Sequence, residues 1–176
     1  MRRVAIIGVG LISGGGRTLD ETWNFITAGK VNNVIQWPPA RTGRTIALAQ
    51  MAINQAIEHL PDEVPVDAIC VGSTSAAFYE NTHGDEKLIP ANLMEELSEM
   101  YDTRLAFQSS QACASSSSAI ALAVDLIRLG KADVVLAGGV DELTDCVVDA
   151  FKAARVWSDL CKPFDAKRDG TKLGEF

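Results

Sequence analysis

The chain has 176 residues, 47% of them apolar and 22% charged, with a formal net charge of −7. That length supports one domain with a full hydrophobic core, and the composition excludes a disordered chain. The negative balance offers no long-range attraction for nucleic acid or an anionic membrane surface, and no apolar stretch reaches the length of a bilayer span.

Met1-Arg2-Arg3 followed by apolar residues has the charge order of a secretory signal. The apolar run is short, however, glycines interrupt it, and no small-residue cleavage site closes it. Residues 4–9, β-branched and ending before Gly10, are therefore expected to form an opening buried strand of a cytoplasmic protein. Gly14-Gly15-Gly16 marks a turn, and Thr18 with Glu21 fits a capping box that opens a helix running to about Gly29. Residues 31–41, with Pro38-Pro39, read as loop. Ile46, Ala49, Ile53, Ala56, Ile57 and Leu60 repeat at helical spacing, and Pro61 stops that helix.

Residues 67–73 predict a second buried strand, residues 75–90 are irregular, and residues 93–100 suit a short helix. Residues 105–108 form a candidate strand. The stretch 113–129 predicts a helix that is apolar nearly all round, which belongs in a core or a subunit interface, with Gly130 ending it. Residues 133–139 predict a third strand of the parallel, doubly buried type, and residues 145–155 a last helix. Strands alternating with helices make one layered α/β domain. The turn-rich stretch from Asp169 to Phe176 leads to no closing element, so the chain is expected to be part of a larger fold.

Gly8-x-Gly10 after a strand has the start of a dinucleotide fingerprint, but Ser13 stands where the third glycine belongs, and no acidic residue lies at the required spacing. No nucleotide cofactor is expected. The cysteines, Cys70, Cys113, Cys146 and Cys161, form no Cys-x-x-Cys pair, and His59 and His83 complete no metal-ligand spacing, so no metal site is expected. Cys70 and Cys146 are read as small buried apolar residues. Gln111-Ala112-Cys113, with His59 about fifty residues upstream, matches the start of a caspase signature, but Ala114-Ser115-Ser116 breaks it and leads into a long helix. In its own context Cys113 lies between a strand and a helix N-terminus, where unpaired N–H groups and the helix dipole favour a thiolate. A thiolate there would be a nucleophile. The same residues also suit a structural cysteine beside a serine run.

Gln111-Ala112-Cys113-Ala114-Ser115-Ser116, followed by Leu129-Gly130-Lys131-Ala132-Asp133-Val134-Val135-Leu136-Ala137-Gly138-Gly139, resembles the nucleophile elbow and next strand of the β-ketoacyl synthases. Arg3-Val4-Ala5-Ile6-Ile7-Gly8-Val9-Gly10, Thr22-Trp23 and Ala28-Gly29-Lys30 are similar to that family's opening strand and helix. Lys162-Pro163-Phe164-Asp165, Arg168-Asp169-Gly170 and Gly174-Glu175 resemble the loop before the last strand of its first half. The resemblance covers nearly the whole chain. It implies a thiolase-like fold, with residues 1–176 as one βαβαβαββ half of a five-layered αβαβα sandwich, lacking the C-terminal half.

The resemblance implies an acyltransferase in fatty-acid or polyketide biosynthesis, with acyl carrier protein or acyl-CoA as substrates, no cofactor, and a homo- or heterodimeric assembly. Cys113 would accept the acyl group and its backbone N–H would be one oxyanion donor. The family's catalytic histidines lie in the second half, so condensation would need a C-terminal half or a second ketosynthase chain. Departures are Gln111 where threonine is usual, the serine run, Phe176 where glycine is usual, and a short stretch between Gly72 and Leu105. The alternative within the resemblance is a non-catalytic partner subunit like a chain-length factor, although those usually lack the cysteine.

Overall fold

In the computed structural model, the described residues are 2–30, 35, 43–58, 60–61, 64–74, 90–160 and 162–175. They fold in chain order as α1 (Leu19–Thr27), α2 (Arg44–Ile57), β1 (Ala68–Gly72), α3 (Pro90–Met100), β2 (Leu105–Ser109), α4 (Ser115–Arg128), β3 (Val135–Gly139) and α5 (Asp145–Ala153). The strands form one parallel sheet in the order β2-β1-β3, with Gly72 in register with Ser109 on one side and Gly139 on the other. The α/β class expected from the alternating pattern is therefore present.

The uninterrupted apolar sequence of β1 reflects its place in the middle of that sheet, where both faces are covered. Because successive strand side chains point to opposite faces, Ile69 and Val71 pack with Leu48, Leu93, Met94 and Leu97 of α2 and α3. Ala68 and Cys70 instead meet Ala119, Ala123 and Leu126 of α4. The result is three layers, helix–sheet–helix. Burying Ile69 and Val71 contributes about 1.5–3 kcal/mol each. The small residues on the other face let α4 lie close to the sheet.

The helix ends follow local chemistry. Thr18 caps α1 by accepting the Glu21 N–H at 3.2 Å, as the capping box predicts, while the Glu21 carboxylate accepts the N–H of Arg17, just before the cap. Gly130, at φ 67°, closes α4: its N–H reaches Ile127 O and the Lys131 N–H reaches Leu126 O, the pairing of a Schellman turn. Helix α4 begins at Ser115, two residues later than expected. Its exposure is uneven, with Ala119, Ala123 and Leu126 buried and Ile120 and Leu129 exposed. Among the described residues no helix is long and apolar enough to cross a membrane. The loop expected at 31–41 (Ile35 apart), the irregular stretch 75–89, His59, His83, Cys161 and Phe176 lie outside the described residues.

Two expectations are corrected. Residues 4–9 do not form a buried strand: they are unpaired among the described residues, and Ile6 is 85% exposed. The segment lies on α2, where Gly8 and Gly10 let the two backbones touch. A Cβ on Gly8 would sit 1.8 Å from Ala56 O, and one on Gly10 would sit 1.9 Å from Ala52 O. Between this segment and the outer edge of β3 lies a cavity of about 440 Å³, lined also by α2 and by Ile120, Val124 and Ile127 of α4. A strand needs a partner at hydrogen-bonding distance, and here the cavity intervenes. The second correction is Cys146, which is exposed, because no residue of α5 is buried.

Candidate active site

In open parallel α/β sheets, groups that bind ligands collect beyond the carboxyl ends of the strands. Three segments meet there: Ser73 and Thr74 after β1, residues 110–114 after β2, and Val140 and Asp141 after β3. Backbone bonds join them, from Ser73 N to Ser109 O and from Val140 N to Gly72 O, each at 3.0 Å. Asp141 Oδ1 accepts the Ser73 hydroxyl and the Thr74 N–H, both at 2.9 Å.

The N-terminus of α4 sits directly on two strand-ending glycines. A Cβ on Gly72 would lie 2.2 Å from the carbonyl carbon of Ser115, and one on Gly139 would lie 2.7 Å from Ser116 Cβ. No larger residue leaves room for that approach, so the glycines that end β1 and β3 fix the helix that follows the elbow.

Cys113 stands in the tight turn between β2 and α4, and it is exposed. The turn reverses the chain through Ala114 N to Gln111 O at 3.0 Å and Ser115 N to Ala112 O at 3.1 Å. Ala112, immediately before the cysteine, has φ 48°, in the left-handed region that alanine disfavours. The Ser115 side chain spans this residue: the Gln111 N–H donates to its Oγ at 2.8 Å, and the Oγ donates to Ala112 O at 2.7 Å. Thr74 Oγ1 donates to the same carbonyl at 3.3 Å, and Ser118 Oγ donates to Gln111 Oε1 at 2.8 Å. The serine run is thus structural at two of its positions. Ala114 caps α4 without a side-chain hydrogen bond.

The other described cysteines differ. Cys70 is enclosed within β1, and burial pushes its thiol up to about 11, so it stays protonated near neutral pH and is a poor nucleophile. Cys146 is exposed on the first turn of α5, a helix with no fully buried residue. Among the described residues no group of three or more His, Cys, Asp or Glu is placed to hold a metal ion.

The loop that follows α5 is anchored at its far end. The Glu175 carboxylate accepts from Arg44 Nε and Nη2 at 2.9 and 2.6 Å, and from the backbone N–H groups of Ile35 and Leu143. The motif residues Asp165 and Asp169 are used locally, with Asp169 accepting the Ser158 hydroxyl at 2.8 Å and Asp165 the Lys167 N–H at 2.7 Å. Sequence reasoning selected Cys113 but missed Ser115, Thr74 and Asp141. The one available signal was the glycine near the end of each flanking strand, in Val71-Gly72-Ser73 and Gly138-Gly139-Val140.

Residues 105–175, from β2 to the Glu175 anchor, match the family model described as the N-terminal domain of beta-ketoacyl synthase. Nodulation protein E of Rhizobium sp. (strain N33) is 54% identical over 71 residues, which cover 39% of this chain and 18% of that protein. A putative mitochondrial 3-oxoacyl-[acyl-carrier-protein] synthase of Schizosaccharomyces pombe is 26% identical over 241 aligned positions, covering 99% of this chain and 57% of that one. The backbone superposes on one chain of a solved complex between a ketosynthase and its chain length factor, from Xenorhabdus doucetiae, with a TM-score of 0.80 at 21% identity, covering 97% of this chain and 55% of that one. The chain therefore spans at most 57% of the length of these relatives. Over residues 105–175 the chain is therefore similar to the N-terminal domain of the β-ketoacyl synthases, and over nearly its whole length its backbone has the fold of solved ketosynthase assemblies.

Proposed function

We propose that residues 1–176 are the N-terminal half-domain of a β-ketoacyl-(acyl carrier protein) synthase and that Cys113 is its acyl acceptor. The observation that carries this reading is the exposed thiol on a constrained turn between a parallel strand and a helix N-terminus, within the stretch that matches the family model. The Cys113 thiolate attacks the carbonyl of an acyl thioester on acyl carrier protein or coenzyme A. The new S–C bond forms as the carbonyl–sulfur bond of the donor breaks, and the donor leaves as a thiol, taking up the proton that Cys113 gave. A malonyl thioester then loses carbon dioxide, and its enolate attacks the acyl-cysteine. The carbon–carbon bond forms, the S–C bond breaks, and the cysteine is restored with a proton from solvent.

Decarboxylation needs groups that the described residues around Cys113 do not present, and a C-terminal half or a second ketosynthase chain supplies them. The apolar cavity between residues 4–10 and the outer edge of β3 supports a half-domain reading, because further polypeptide would cover it. A dimeric assembly acting in the cytoplasm, in fatty-acid or polyketide synthesis, completes the proposal.

The test is incubation of the protein, with any second chain that co-purifies, with an acyl-(acyl carrier protein) thioester, followed by intact-mass spectrometry. An adduct of acyl mass is expected, and it is lost in Cys113→Ala. An adduct that persists in that variant would overturn the assignment. No adduct with the complete assembly would favour the partner-subunit reading, in which the chain shapes a product tunnel.

A further inference from the structure

We propose that Ser115 is a positioning residue for Cys113, a clamp that holds the preceding peptide in the left-handed conformation that aims the thiol. The inference rests on the reading of Cys113 as the acyl acceptor. Ala112 has φ 48° without being glycine, and such a residue persists only where its surroundings over-determine it. The two groups that the Ser115 hydroxyl joins, the N–H of Gln111 and the C=O of Ala112, lie on either side of the φ and ψ bonds of Ala112. One hydroxyl therefore bridges the short span that contains both torsions, as acceptor to the first group and donor to the second, and so restrains them together. Cys113 follows directly, so the direction of its Cα–Cβ bond is set by those torsions.

The clamp is built into the fold rather than laid on its surface. Ser115 is 3% exposed, and its own backbone is seated on Gly72 with no room for a Cβ between them. The hydroxyl cannot swing to solvent without breaking both bonds. The Ala112 carbonyl receives a second donor, Thr74 Oγ1, and Thr74 is in turn held through its N–H by Asp141. The side chain of Gln111 is tied to Ser118, which keeps the residue before the turn from rotating. Ser115 is the member of this set that touches both sides of the strained residue, and an alanine in its place would leave the Gln111 N–H and one lone pair of Ala112 O without that partner.

Acyl transfer depends on how the sulfur meets the thioester carbonyl and the donors around its oxygen, so it is sensitive to the direction of the thiol. Alkylation by iodoacetamide, a small neutral reagent that approaches freely, is far less so. The experiment compares the two reactions at Cys113 in the wild type, Ser115→Ala and Ser115→Thr, with alkylation of exposed Cys146 as the internal reference and urea unfolding as the check on folding. Ser115→Ala is expected to slow acyl transfer at least about ten-fold while changing Cys113 alkylation less than about three-fold. Ser115→Thr, which keeps the hydroxyl, is expected to restore transfer. Equal transfer in folded Ser115→Ala and wild type overturns the proposal, as does an equal fall in both reactions. Failure of the wild type to take up acyl groups at all overturns the acyl-acceptor reading, and the positioning role with it.

Discussion

Arg44 and Glu175 meet in a bidentate ion pair, with Nε donating to Oε1 at 2.9 Å and Nη2 to Oε2 at 2.6 Å, and their side chains are only 9% and 3% exposed. The pair joins the start of α2 to the far end of the loop after α5. The carboxylate also accepts the Ile35 N–H at 2.7 Å and the Leu143 N–H at 3.3 Å, while Arg44 Nη2 donates to Ile35 O at 2.6 Å. Hydrogen bonding to Glu175 raises the Arg44 guanidinium above its ordinary value. Paired in this way, both charges are tolerable inside the protein. Alone, either one is not.

Breaking that pair is expected to cost more than the pair itself contributes. Arg44→Met leaves a buried carboxylate facing two backbone donors and is expected to destabilise the fold by about 3–5 kcal/mol. The double variant Arg44→Met/Glu175→Leu removes both charges and is expected to recover part of that loss, though not all, because the N–H groups of Ile35 and Leu143 lose their acceptor. Urea midpoints of the three proteins check the order. A double variant less stable than Arg44→Met would contradict it.

Gly72 and Gly139 carry a second prediction. Gly72→Ala places a methyl group 2.2 Å from the Ser115 backbone, which has no flexible end to yield, so α4 must shift. The expected destabilisation is about 1–3 kcal/mol, together with slower acyl transfer to Cys113, because the turn moves with the helix. Gly139→Ala meets Ser116 Cβ at 2.7 Å, a longer approach than the 2.2 Å at Gly72, and is expected to cost less though not nothing. Gly138→Ala meets nothing within 4 Å and serves as the control. Equal midpoints for the substitutions at 72 and 138 would refute the close-approach argument.

The strands and helices were legible because each rests on a local pattern. Ala68-Ile69-Cys70-Val71 is a doubly buried run, Thr18 and Glu21 form a cap, and Gly130 is a terminator. The placing of Cys113 was legible as strand, turn, helix. What surrounds Cys113 was not, because Thr74 and Asp141 reach it from the ends of other strands and sequence spacing carries no trace of that approach. Arg44 and Glu175, 131 positions apart, are the extreme case. Residues 4–9 show the converse. Their β-branched pattern predicts a strand, but a strand is a relation between two segments, and only one of them is in the local pattern. The burial expected of Cys146 failed for the same reason, since α5 turns Val147, Val148 and Phe151 inward, only half-buried, and leaves Cys146 on its exposed side.

The acid limb of stability is expected to depend on Asp67, which sits just before β1. Its Oδ2 accepts the N–H groups of Asp133 and Val134 at 2.7 and 3.1 Å, and its Oδ1 accepts from Arg104 at 3.0 Å. The Asp133 N–H, then that of Val134, hold the carboxyl below its ordinary value. A carboxyl with a depressed folded-state pKa contributes stability that is fully present above its unfolded value, roughly pH 4, and is lost as pH falls through the folded value. Asp67→Asn is therefore expected to lose about 1–2 kcal/mol at neutral pH and to show a shallower decline in acid than the wild type. Parallel curves of urea midpoint against pH between about 2 and 7 would show that Asp67 contributes nothing specific.

The last prediction concerns the segment that should have been a strand. Residues 4–10 are held to α2 by Gly8 and Gly10, and the turn beyond them by Gln55. The Gln55 side chain accepts the Leu11 N–H at 3.3 Å and donates to Arg17 O at 2.7 Å. With the outer edge of β3 across a cavity, these contacts with α2 hold the segment, with the exposed Arg2–Asp133 ion pair at its start as the other tie. Gly8→Ala forces a methyl group to within 1.8 Å of Ala56 O, a backbone atom of α2, so the segment must lift. Gln55→Ala removes the clasp at its other end. Both changes are expected to raise the rate of tryptic cleavage after Arg17 several-fold, because local opening governs access to a folded chain. Ile6→Thr changes a side chain that is 85% exposed and is expected to leave cleavage unchanged. If the three variants and the wild type are cut at one rate, the segment is held by something other than these contacts with α2.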